Sequence, residues 1–387
     1  MMEFELSDEQ EAVSQSAAAV FAGMAGHERV AAVEATDDRF DDDLWKALAR
    51  ANLLGLAVPE EFGGSGLGLT EVCLVLEAQG RAVAPVPLWA TSVLGAMPIA
   101  RFGSPELKQR WLPGVVSGEV KLSAALSEVA AAGSEPGRVP MPGVVAERRD
   151  GGFSLTGFTQ AVPQAHLAER VVVPADAEGA VAVLLVDPRG AGVSRQEAVT
   201  TDRQLHPHLR FEDTRVRDDD VLVAPSQGPD AVSWMLELAR TGLCAIALGV
   251  CEEAVTRTAA YLNERKQFGR PLSSFQGAML RAADAFIDTE AIRVMTWQAA
   301  WRLDTGRPAA EAVSAAKWWA SDAGQRVVHA TQHLHGGMGA DVEYPIHRYF
   351  LWGKQIELML GGPSSELARL GSLVTDGMRI GAKVTER

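Results

Sequence analysis

The chain has 387 residues, 47% of them hydrophobic and 22% charged, with a formal net charge of −14 at pH 7. A single core stops growing at roughly 250–300 residues, so more than one folded unit is expected, and the composition excludes a disordered or fibrous chain. The acidic balance argues against a nucleic-acid partner, whose phosphates need concentrated Lys and Arg, yet it permits a local basic mouth for an anionic ligand.

The first 120 residues read as helices. Ser7-Asp8-Glu9-Gln10 offers an N-cap hydroxyl with acids in the first turn, and Asp41-Asp42-Asp43-Leu44 repeats the design. Glu61 to Gly68 breaks the pattern with closely spaced glycines, and Leu69 to Ala84 follows as a buried helix. Between about 121 and 225 the period changes: Val171–Val173, Val181–Val186 and Leu209–Glu212 are short β-type runs separated by Gly, Pro and Asp, as in a small antiparallel β-domain. The Ala, Gly and Pro of Val129 to Pro142 suggest a mobile loop. After Pro225 long helices return, with Trp234–Leu262 and Phe275–Leu303 as candidates; Trp297, Trp301, Trp318 and Trp319 read as core or interface packing.

Cys73, Cys244 and Cys251 have no metal-type spacing, and Cys244 and Cys251, seven apart in an apolar helical run, are expected as buried thiols and not a disulfide. No basic region precedes an apolar core at the N-terminus, and no run reaches about 18 uncharged apolar residues, so neither a secretory signal nor membrane insertion is expected and a cytoplasmic location is inferred. No metal site is expected.

Two motifs carry the chemistry. In Glu264-Arg265-Lys266-Gln267-Phe268-Gly269-Arg270-Pro271, Arg265 and Phe268 stand three apart, so on a helix end they would face the same way. A guanidinium can grip a pyrophosphate through parallel N–H bonds while a ring lies against ribose or adenine, although alone this pattern is most often a solvated charged face. In His333-Leu334-His335-Gly336-Gly337-Met338-Gly339 the glycines let backbone amides approach a phosphate unobstructed. His335 and His347 read as structural.

Together these motifs, with Ala57-Val58-Pro59-Glu60-Glu61-Phe62-Gly63-Gly64 and the order helical block, β block, helical block, resemble the acyl-CoA dehydrogenase family over nearly the whole chain. The resemblance implies an α+β, mostly α fold: an N-terminal helical domain at 1–120, an antiparallel β-domain at 121–225 and a C-terminal four-helix-bundle domain at 226–387. It implies FAD as cofactor, an acyl-CoA thioester as substrate and electron-transfer flavoprotein as acceptor. Arg265 and Phe268 would contact the FAD of a neighbouring subunit, and Gln276, Gly336 and Gly337 would complete that site, with His333 where the family has glutamine. Ser127 would stand where the family's threonine bonds the flavin ring.

The family's base is a glutamate that takes the α-proton of the thioester. Its usual position is Leu360 here, and the two alternative positions fall on Ala239 and near Ile246. Ala161-Val162-Pro163 replaces the Trp-Ile-Thr that walls the flavin ring, and Ser127-Glu128-Val129 with Gly133-Ser134-Glu135 replaces its Thr-Glu-Pro and Gly-Ser-Asp. What is lost serves a subunit's own flavin; what is kept serves its neighbour's. The pattern from His347 to Gly362 is similar to that of the base-lacking subunits of actinobacterial α2β2 acyl-CoA dehydrogenases acting on steroid side-chain thioesters. The competing readings are a self-sufficient homotetramer whose unusual base is Glu237 or Glu357, otherwise surface or salt-bridged carboxylates, and a non-catalytic scaffold homologue.

Overall fold

A computed structural model describes residues 5–131 and 140–385. The chain opens with α1 (Asp8–Met24), α2 (His27–Glu34), α3 (Asp42–Arg50) and α4 (Leu69–Ala82), followed by a π-helical turn over Trp89–Ala96, α5 (Met97–Phe102) and α6 (Pro105–Ser117). Ser7 caps α1 with a reciprocal bond from Gln10, and the Asp41 carboxylate accepts from the Leu44 N–H at 3.2 Å. Both caps are as the sequence predicts.

The central sheet collects β1 (Leu122–Ala124), β2 (Val145–Arg149), β3 (Gly152–Thr159), β4 (Arg170–Ala177), β5 (Ala180–Val186), β6 (Val193–Gln196), β7 (His208–Arg217) and β8 (Val221–Val223). Its order is β6-β7-β3-β2-β4-β5-β8, with β1 on β4; it is antiparallel except where β4 meets β1 and β2. One side of β4 and β5 belongs to a sheet core around Val171, Val173 and Leu184, whereas Val172, Val183 and Leu185 join the helical core, as period-2 alternation requires. Of the loop expected at Val129–Pro142, Val129 to Ala131 instead end a short helix, α7 (Ser127–Ala131), because Val129 is buried; Gly133-Ser134-Glu135 lies outside the described residues.

The chain then forms α8 (Gly228–Glu264), a hairpin of β9 (Lys266–Gln267) and β10 (Arg270–Pro271), α9 (Gln276–Asp304), α10 (Ala310–Leu334), α11 (Ile346–Leu358) and α12 (Pro363–Thr385). Long apolar α8 is the axis of the molecule: it packs on α4, α9, α10 and α11. By length and hydropathy it is the one described helix that could cross a membrane, but 89% of its apolar window is buried within the fold. The approach of α4 to α8 is set by glycines, since a Cβ at Gly80 would strike the Ile246 carbonyl and one at Gly249 the Glu77 carbonyl. All three cysteines are buried and free.

Candidate functional site

A cavity of about 420 Å³ lies where the π-helical turn, β1, the start of α7, the segment 161–163 and the α11–α12 turn meet. Trp89, Leu94, Leu126, Pro163, Met359 and Leu360 form its apolar wall; Ser127, His206, Gln355 and Ser365 are its polar groups. Among the described residues no carboxylate, ammonium or guanidinium lines it.

Leu360, at the family's usual base position, puts its side chain in this wall. Ala239 and Ile246 are buried on α8, and the Ala239 carbonyl accepts from the Trp89 Nε1 at 3.1 Å. The turn that carries Leu360 is held from behind. Arg240 Nε donates to the Leu360 carbonyl at 3.0 Å and meets the Glu366 carboxylate at 3.0 Å, both side chains being buried. The fully buried Lys317 ammonium donates to Ser321 Oγ at 2.6 Å, to the Gly361 carbonyl at 2.9 Å and to the Ile356 carbonyl at 3.1 Å. Burial pulls Lys317 down to about 8 and Arg240 down to about 10, against the attraction of nearby Glu366. Gly361 has φ +120°, and a Cβ there would press on Glu366 Oε1. The position that the resemblance assigns to the base is thus a clamped turn with an aliphatic tip.

Neither alternative carboxylate lines the cavity. Glu357 is paired with Lys354, as expected. Glu237 departs from the expectation of a surface or salt-bridged group: it is half-buried and in no ion pair among the described residues, because its turn of α8 faces the protein interior. Burial raises its pKa, while the charges of Arg369 and Arg240 oppose the rise. A raised carboxylate alone is no base; it also needs reach to substrate.

The 161–163 side of the cavity, which the resemblance sets beside a flavin ring, offers few donors. The Ala161 N–H is bonded to His208 Nδ1 at 3.0 Å and the Val162 N–H to the Pro207 carbonyl at 2.9 Å, while Pro163 has no N–H. Ser127 keeps a hydroxyl in the wall. This segment does not fit a flavin ring of the chain's own, because its backbone donors are already spent.

The retained motifs lie elsewhere, at the protein surface. Arg265 and Phe268 do not share a helix face: Arg265 ends α8 with ψ 123°, and the chain turns at once into the β9–β10 hairpin, whose tip is Phe268 and Gly269 at φ +52° and +78°. Successive positive φ values at a two-residue tip match the twist of a tight hairpin. Phe268 is 91% exposed, and Arg265 is exposed with no ion pair among the described residues. Behind the tip, Arg270 stacks on Phe275 at 4.0 Å, and exposed Gln276 starts α9. The Gly336 turn is short 3-10 helix; Gly336 has φ +60°, and a Cβ at Gly336 or Gly337 would meet nothing within 4 Å, so the backbone there is open to a ligand. His333 is exposed beside it. Tyr261, one turn before Arg265, stacks on His335 at 4.5 Å and so joins the hairpin to the glycine turn. His335 and His347 donate through Nδ1 to the carbonyls of Thr331 and Tyr344 at 2.8 and 2.7 Å, and burial lowers both pKa values, which suits packing roles. A guanidinium without an ion pair, an exposed ring and an open glycine backbone fit the pyrophosphate and adenosine end of a dinucleotide.

Sequence reasoning missed Lys317 and His206. A lysine on the apolar stripe of Val313, Ala316 and Ala320 was the available signal for the first; His206 lies in an irregular segment with no period to mark it.

The sequence matches the acyl-CoA dehydrogenase N-terminal domain over residues 7–119 and the acyl-CoA dehydrogenase C-terminal domain over residues 226–369. It is 38% identical over 343 residues to acyl-CoA dehydrogenase FadE27 of Mycobacterium tuberculosis, covering 87% of this chain and 88% of the relative. Among solved structures it is similar to a variant of the Tcur3481–Tcur3483 steroid ACAD, with 43% identity, a TM-score of 0.88 and coverage of 96% and 99%. The ChsE4–ChsE5 complex from Mycobacterium tuberculosis follows at 35% identity and TM-score 0.89, with coverage of 97% and 99%.

Proposed function

Since this chain belongs to the acyl-CoA dehydrogenase family, we propose that it serves acyl-CoA α,β-dehydrogenation as the subunit without a base, completing the FAD site of a base-bearing partner in an α2β2 heteromer. The observation that carries this reading is the asymmetry of the two regions: among the described residues the chain's own cavity has no carboxylate and no free backbone donor at 161–163, whereas Arg265 and Phe268 are exposed at the surface hairpin and the glycine turn is open.

In this reading Arg265 grips the pyrophosphate, Phe268 covers the ribose or adenine, and Gln276, His333 and the Gly336-Gly337 backbone supply further polar contacts. FAD, when bound, supplies the hydride acceptor. This chain orients that cofactor's distal end and keeps water from it, and the partner's glutamate takes the α-proton. Ser127 is left as the remnant of the chain's own flavin contact. Likeness to the Tcur3481–Tcur3483 steroid ACAD and the ChsE4–ChsE5 complex supports a steroid side-chain CoA as substrate and a second dehydrogenase subunit as partner. Electron-transfer flavoprotein as acceptor, a cytoplasmic location, and domain limits near 120 and 225 complete the proposal.

Co-expression with a base-bearing dehydrogenase subunit, followed by a flavin-to-chain count, tests it. One FAD per two chains is expected, with the chain alone colourless and inert toward acyl-CoA thioesters. One FAD per chain in the isolated protein, with turnover, would overturn the reading.

A further inference from the structure

His206 is used by nothing described so far. The residue is 4% exposed, its imidazole forms no hydrogen bond to a described residue, and it lines both the 420 Å³ cavity and a neighbouring one of about 30 Å³. The polar groups beside it are satisfied among themselves: Gln164 Nε2 donates to Gln204 Oε1 at 2.6 Å, Gln204 Nε2 to Asp202 Oδ2 at 3.0 Å, and the His206 N–H to the Ala198 carbonyl at 2.9 Å. Its ring nitrogens are not sealed inside the protein, so a polar atom entering the cavity can reach them. Burial lowers the His206 pKa; Asp202 opposes that shift and His166 adds to it, so at neutral pH the ring offers one N–H and one lone pair.

The remaining wall sets the character of what would complete it. It is largely apolar, and with no cation among the described lining residues a carboxylate or phosphate entering there would be desolvated without compensation. Its volume falls within the roughly 300–1,000 Å³ typical of small-molecule sites. We propose that this cavity, unfit for a flavin ring, binds a neutral and mostly apolar small molecule whose hydroxyl or ketone oxygen hydrogen-bonds to His206. The inference rests on the reading that the chain holds no flavin of its own.

Calorimetric titration of the full-length chain with 1-decanol, and with decanoate as a charged probe of equal length, tests it. Saturable 1:1 binding of decanol is expected, with decanoate weaker by at least about tenfold. His206→Leu, which removes the hydrogen bond but keeps an apolar filling, should weaken decanol by about tenfold, and His206→Gln, which keeps a donor and an acceptor, should restore most of it. Absence of saturable decanol binding, equal affinity for decanoate, or unchanged affinity in a His206→Leu protein of normal melting temperature would each overturn the proposal. Flavin co-purifying one-to-one with the isolated chain would overturn the heteromer reading instead. Titration after flavin removal would still decide the cavity.

Discussion

Arg265 is exposed and forms no ion pair among the described residues, so its guanidinium is free to meet a ligand. Replacing it by Ala deletes a charge-assisted contact typically worth about 1.5–3 kcal/mol, so the assembled complex should retain FAD roughly 10- to 150-fold less tightly. Equilibrium dialysis of the complex measures this, and unchanged retention would remove Arg265 from the site. Lys317 presents the opposite case, a charge out of water. Its proton, held to about 10.5 in the unfolded chain, is released near 8 in the fold because of burial, with Glu366 and Glu357 attracting the charge and Arg240 repelling it. Between those values the unfolded state binds more protons, so this group adds stability as pH rises from 8 to 10.5, and its full cost stands below 8. In urea denaturation of wild type beside Lys317→Met, the difference in stability should move in favour of wild type across that window. A flat difference would show that the ammonium does not titrate as described.

Among elements, the α4–α8 crossing and the β9–β10 hairpin illustrate different kinds of sequence information. The hydrophobic runs of both helices are plain in the sequence, but the closeness of their approach depends on Gly80 and Gly249, which read there only as weak points in a helix. Gly249→Ala should therefore destabilise the protein by about 1–3 kcal/mol although Ala is the better helix former, because its Cβ meets backbone that cannot rotate away. Thermal or denaturant unfolding would register this, and a neutral or stabilising effect would mean that the helices can separate freely. In the hairpin, Gly269 signals a turn, but nothing in Arg265-x-x-Phe268 distinguishes a helix end from a two-residue tip. The distinction arises where Leu272 N–H returns to the Arg265 carbonyl at 2.8 Å. Helix α9 leaves Met279, Leu280, Phe286 and Ile287 between 53% and 64% exposed in the single chain, an apolar stripe of the kind another polypeptide covers.

For the molecule as a whole, the proposed reading makes the loss of the base a matter of packing and not of a single substitution. Leu360→Glu places a carboxylate at the family's position, yet the Ala161-Val162-Pro163 segment still lacks donors for a flavin ring and the turn stays clamped by Arg240 and Lys317. The variant purified alone should remain colourless and inactive toward acyl-CoA thioesters; flavin binding with turnover would show that one side chain separates this subunit from a complete enzyme. By itself the sequence determined the succession of helical, β and helical blocks, the capped starts of α1 and α3, the family, and the absence of glutamate at Ala239, Ile246 and Leu360. These are local facts, written in periodicity, capping chemistry and motif. Only the tertiary structure decided that Glu237 is half-buried and does not line the cavity, that Lys317 is a buried clamp, that Tyr261 on His335 joins the hairpin to the glycine turn, and that His206 faces a cavity with no charged lining group among the described residues. Each depends on which segments meet in space, and burial and hydrogen-bond completion are properties of that meeting that no spacing along the chain records.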